Sequence, residues 1–102
     1  MASYYTYTQQ VHTVLSPDSW DEAYFSLLSL KHALGGVPGW KHMDILANNQ
    51  TDDKVHLRVL TTWASVEQME AWLRSDLTVE GVLKGITPPP AEMDIAFYEK
   101  VA

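Results

Sequence analysis

The chain reads as an α+β domain on the ferredoxin-like, split β-α-β plan: β-α-β-β-α-β, a four-stranded antiparallel sheet with its helices on one face. Three observations lead there. Two stretches share one grammar, a β-rich run followed by a serine-capped helix. A polar turn, Asn49-Gln50-Thr51-Asp52-Asp53, joins two β-rich runs as a hairpin. A last alternating stretch follows a triple proline that no helix can cross.

Tyr4 to Leu15 is rich in Tyr, Thr and Val, which favour a pleated chain, and is strand one. Ser16-Pro17-Asp18-Ser19 signals a helix start in either of two frames. Ser16 caps with Pro17 in the first turn, or Ser19 caps with Glu22 in a capping box. Trp20, Tyr24, Leu27, Leu30 or Lys31, and Leu34 then recur at helical spacing, with Ala23 and Leu28 widening the stripe. Gly35-Gly36 stops that helix and Pro38-Gly39 turns the chain.

Trp40 to Asn48 is strand two and Lys54 to Ala64 strand three. The odd positions of strand three, Val55, Leu57, Val59, Thr61 and Trp63, form its apolar face. Ser65 and Gln68 read as a capping box, opening a helix that runs to about Leu73 with Val66, Met69, Trp72 and Leu73 on one side. Arg74-Ser75-Asp76 interrupts it, and Asp76 to Leu83 resumes as a second helical piece. Glu92 to Val101 alternates Met93, Ile95 and Phe97 against Asp94, Ala96 and Tyr98, and is strand four.

A chain of 102 residues fits a single domain, 1–102, with one two-layer core. Hydrophobic content of 46% against 20% charged is that of a globular chain. Thirteen carboxylates against seven Lys plus Arg, a formal charge of −6, argue against a nucleic-acid backbone as partner. The absence of cysteine removes disulfides and thiolate chemistry, and in so small a domain leans towards the cytoplasm. No apolar run approaches a membrane span, and the start MASYYTYTQQ lacks the features of a signal peptide. The second sheet face, with Arg58, Leu60, Thr62, Ala96 and Tyr98, is half apolar and has no helix left to cover it, which predicts a homodimer.

Trp63 followed by Ala64-Ser65, Trp72 nine residues after Trp63, and a Pro38-Gly39-Trp40 step before strand two together resemble the antibiotic biosynthesis monooxygenase (ABM) family, of the dimeric α/β-barrel superfamily. The resemblance covers nearly the whole chain. It implies a dimer with a pocket between helices and sheet for a small apolar or aromatic molecule. It also implies either oxygenation without a metal or flavin, or haem degradation. In the haem-degrading branch a histidine follows the helix-two tryptophan by ten residues; Val82 stands there, and strand one has no asparagine. In the quinone-forming branch an asparagine precedes the strand-three tryptophan by four residues and a tyrosine follows it by six. Those positions are Val59 and Met69.

Trp63 and Trp72 are candidates for a stacking surface with indole donors, or are plain core. Tyr24, Leu28, Val59, Met69 and Val82 are the other expected pocket residues. His42 and Asp44 share a face of strand two, so His42 is the candidate base, the solvated pair being the plainer reading. His12, His32, His42 and His56 show no metal-ligand spacing, and no phosphate loop or nucleophile elbow occurs, so neither metal nor cofactor is expected. Arg58 anchors an anion or pairs with an acid across the dimer. The expected function is a cofactor-independent monooxygenase. The alternatives are a non-catalytic ligand-binding or structural dimer, and a haem protein lacking the usual histidine.

Overall fold

In the computed structural model, which describes residues 6–48 and 53–102, the inward-facing runs of the first and third strands end up against the helices. Strand β1 spans Tyr7–Leu15, α1 Pro17–Leu34, β2 Trp40–Asn48 and β3 Val55–Trp63. Helices α2, Val66–Leu73, and α3, Val79–Lys84, precede β4, Met93–Glu99. Tyr4, Tyr5 and the turn residues Asn49 to Asp52 lie outside the described residues. The sheet is antiparallel throughout, in the order β2-β3-β1-β4. This is the α+β, ferredoxin-like fold, with three helices where the element order anticipated a broken second one.

Alternation sorts the sheet into two faces. Gln9, Val11, Thr13 and Leu15 of β1 and Val55, Leu57, Val59, Thr61 and Trp63 of β3 point to the helices and are buried. From the helices come Ala23, Leu27, Leu30, Leu34, Met69, Trp72, Val79 and Leu83, and Ile86 closes the layer from beyond α3. Burying side chains of this size stabilises each by about 1.5–3 kcal/mol.

One local detail decides what the sequence left open, and two differ from its expectation. Helix α1 uses the Ser16 frame: the Ser16 hydroxyl accepts from the Asp18 amide and Pro17 sits in the first turn. That frees Ser19 to be buried and to donate to the Pro88 carbonyl. The inward stripe of α1 is Ser19-Ala23-Leu27-Leu30-Leu34, so Tyr24 and Leu28 face outward by about one residue and are 40% and 38% exposed. The third is at α3, which starts at Val79, not Asp76, because the Thr78 hydroxyl caps it by accepting from the Gly81 amide at 3.1 Å.

The step into β2 is a point of close approach. Gly39 has φ +85°, and its carbonyl accepts from the Ala64 amide at 2.8 Å. A Cβ on Gly39 would lie 2.3–2.6 Å from the Gln68 side chain, so α2 packs on bare backbone. Ser65 caps α2, accepting from the Gln68 amide at 3.2 Å and donating to Gln68 Oε1 at 3.0 Å. The glutamine therefore meets the cap's hydroxyl.

Candidate functional site

The layer between sheet and helices changes character along β3. Towards Val55 its inward positions are apolar, apart from Thr13, whose hydroxyl donates to the Glu92 carbonyl. Towards Trp63 they are not. On the last two inward rungs Gln9 pairs with Thr61, and Trp63 stands between Tyr7 and Trp40. Four buried polar atoms here have no hydrogen-bond partner: Gln9 Oε1, Thr61 Oγ1, Trp40 Nε1 and Trp63 Nε1. Gln9 is 2% exposed, and Thr61 and Trp63 are fully buried.

Trp72 of α2 lies over this end. Its ring stacks on Trp63 with centroids 4.7 Å apart and planes 28° from parallel. Its indole N–H donates to the Leu77 carbonyl, and Ser75 bonds both the Trp72 carbonyl and the Leu77 amide. The chain between α2 and α3 is thereby strapped to Trp72. A cavity of about 250 Å³, lined by Val37, Pro38, Gln68, Ala71, Trp72, Ser75 and Leu77, borders the same tryptophan.

The helices leave the inward side of β4 uncovered. On β4, Ile95 is in register with Val11 and Phe97 with Gln9, so both face the helix side. Yet Ile95 is 37% and Phe97 53% exposed. The buried amide of Gln9 thus has an open apolar neighbour at the β4 edge.

The sequence-derived candidates divide. Trp63, Trp72, Val59 and Met69 come together as buried core, with Val82 half-buried against it. Tyr24 and Leu28 stand at the surface of α1, Tyr24 between Trp20 and Phe25 with centroids 5.7 and 5.8 Å away. His42 is not brought to the tryptophans. It pairs in register with Thr62, on the face away from the helices, with its Nε2 3.8 Å from Asp44 and both side chains mostly exposed. A bulge between Trp40 and His42 sets Trp40 inward and His42 outward. Among the described residues, none of those buried is ionisable, and no group of three His, Asp or Glu is placed to hold a metal.

Gln9, Thr61 and Trp40 were not singled out as site residues by sequence. The signal was present for the first two: each is a polar residue at an inward position of a strand mostly apolar on that face.

The face away from the helices carries two hollows. One, about 390 Å³, is lined by His12, Leu46, Ala47, Asn48, His56 and Arg58. The other, about 550 Å³, includes His42, Leu60, Thr62 and Tyr98. Leu46 and Tyr98 are more than half exposed on this face.

No family model matches the chain, and no curated protein does. Solved structures do match. A Caulobacter crescentus CB15 protein, provisionally named an antibiotic biosynthesis monooxygenase, superposes with a TM-score of 0.75 at 17% identity, over 95% of this chain and 91% of that one. A conserved Bacteroides thetaiotaomicron protein of unknown function, described as a possible oxidoreductase, gives 0.74 at 15%, over 96% and 100%. The haem degrader MhuD of Mycobacterium tuberculosis gives 0.64 at 18%, over 93% and 96%. The chain has the ABM-like fold. At these identities the likeness establishes architecture and leaves the chemistry to the residues.

Proposed function

We propose that this protein binds a small aromatic or apolar metabolite on the helix side of its sheet and oxygenates it without a metal or organic cofactor. The observation that carries the binding half is the uncovered inward strip of β4, with Ile95 and Phe97 open beside the buried amide of Gln9. A flat ring seated there has the Trp63–Trp72 stack as the far wall of its layer. Tyr24 and Leu28 are accessible on α1, whereas Val59 and Met69 support the wall from within.

In the reaction, a ring methylene would become a carbonyl. Dioxygen supplies the inserted oxygen, its other oxygen leaves as water, and the electrons come from the substrate. Among the described residues no ionisable side chain is buried in the layer, and His42 with Asp44 faces the other way. The substrate would therefore ionise on its own account, as an electron-rich phenol or anthrone does. Oxygen uptake with such compounds, lost in Trp72→Ala, tests this. No uptake and no binding across a broad aromatic panel would refute it.

A second reading, a non-catalytic binding or structural module, is favoured by the burial of Trp63 and by there being no internal base among the described residues. Ligand binding without oxygen uptake would select it. Haem handling is the third reading. Val82, at the position of the usual histidine, offers no ligand, and titration with haem without a shift of its absorption band removes this possibility.

We further infer that a second copy covers the open sheet face, which displays Leu46, Leu60 and Tyr98 around the two hollows. The lack of cysteine fits a cytoplasmic protein. No helix among the described residues is long and apolar enough to cross a membrane.

A further inference from the structure

We propose that Gln9, Thr61, Trp40 and Trp63 are positioning residues that hold the polar end of the ligand, and that this ligand carries both a hydrogen-bond acceptor and a donor on its ring frame. The inference rests on the helix side of the sheet being a ligand site. It adds which residues orient the ligand and what chemistry they demand.

Buried polar atoms are almost always paired, because leaving one unpaired forfeits its hydration with no return. Scattered exceptions would mean little. Here all four fall on two adjacent inward rungs across three neighbouring strands, β2, β3 and β1. The rest of the inward face has none among the described residues. Thr13, the buried hydroxyl of β1, shows the usual outcome, with its donor satisfied by the Glu92 carbonyl.

The four atoms are chemically complementary as a set. The indoles of Trp40 and Trp63 can only donate. The Gln9 amide presents an acceptor oxygen, and the Thr61 hydroxyl can do either. An occupant must then offer a carbonyl or similar oxygen to the indoles and a hydroxyl or similar donor to the amide. A pure hydrocarbon would leave all four unpaired. Gln9 is also the member of the set beside the open strip of β4, so it is the first polar group met from that edge.

The test uses the full chain and two near-isosteric variants, Thr61→Val and Gln9→Leu, with Thr61→Ser as the conservative control. Binding of 5-hydroxy-1-tetralone, which carries the acceptor and the donor, is compared with binding of naphthalene, which carries neither, by quenching of tryptophan fluorescence. Thermal unfolding is measured without ligand. The native chain is expected to favour the hydroxyketone. Thr61→Val and Gln9→Leu each weaken it about tenfold, the worth of one hydrogen bond, and leave naphthalene unchanged. Thr61→Ser retains the preference. Without ligand, Thr61→Val unfolds at a higher temperature than the native chain, because an unpaired buried hydroxyl is gone. A role in packing alone would not join gain of stability to loss of affinity. Equal binding of both probes, or a lower unfolding temperature for Thr61→Val with no change in preference, overturns the proposal while leaving the ligand site standing. Failure of both probes to bind overturns the site and the proposal together.

Discussion

Trp63 and Trp72 stack in the core, and substitution can separate what each contributes. Trp63 is fully buried with its N–H unpaired; Trp72 spends its N–H on the Leu77 carbonyl. Truncating either ring to alanine is expected to cost about 3–5 kcal/mol. Trp72→Phe removes the strap to Leu77 as well as indole area, so amide exchange should quicken at 74–78, the chain between α2 and α3, more than in the sheet. Trp63→Phe should leave exchange at 74–78 as in the native chain. Hydrogen exchange distinguishes the two, and equal local effects would show that the Leu77 bond does not hold this segment. At this scale the sequence disclosed types more readily than partners. The inward setting of Trp63 followed from strand period, whereas its stacking on Trp72 depends on how α2 lies over the sheet. The outward setting of His42 could not follow, because it depends on the bulge after Trp40 and no composition signal marks that bulge.

Elements were more legible, since periodicity and capping chemistry act locally. The Ser65 cap was readable, and its loss is testable: Ser65→Ala should destabilise the protein by about 0.5–2 kcal/mol in denaturant unfolding. Thr78→Ala should do the same for α3, but at six residues that helix depends on Val79 and Leu83 being buried more than on its cap. Helix α1 shows where periodicity falls short. Its apolar residues form two overlapping stripes, one through Leu27 and Leu34 and one through Tyr24 and Leu28. Helical spacing alone cannot rank them. Contact with the rest of the fold does so: Ser19 is held to Pro88, and the Glu22 carboxylate accepts from the Thr87 amide at 3.2 Å. Those ties fix the rotation of α1 and turn Tyr24 outward.

At the scale of the molecule, the four-stranded antiparallel sheet and the one-sided helices followed from element order, because few topologies satisfy β-α-β-β-α-β with short connections. What covers the other sheet face did not, since that depends on a second molecule. A dimer through this face should dissociate when charge is placed on it. Leu60→Glu is expected to shift the mass measured by light scattering from two chains to one, while Phe25→Glu, on exposed α1, leaves it unchanged. A monomeric native chain at micromolar concentration would refute the dimer.

The bare approach of Gly39 to Gln68 joins two parts of the chain 29 positions apart. Gly39→Ala should destabilise the fold by more than the usual ~1 kcal/mol of a glycine change, through both its positive φ and the crowding of α2. The consequence reaches beyond stability to how such chains change over time. Positions 39 and 68 constrain each other: a side chain at the first is tolerable only with a smaller residue at the second. For a fold whose structural neighbours share fewer than one residue in five with it, two positions scored jointly carry information that neither carries singly.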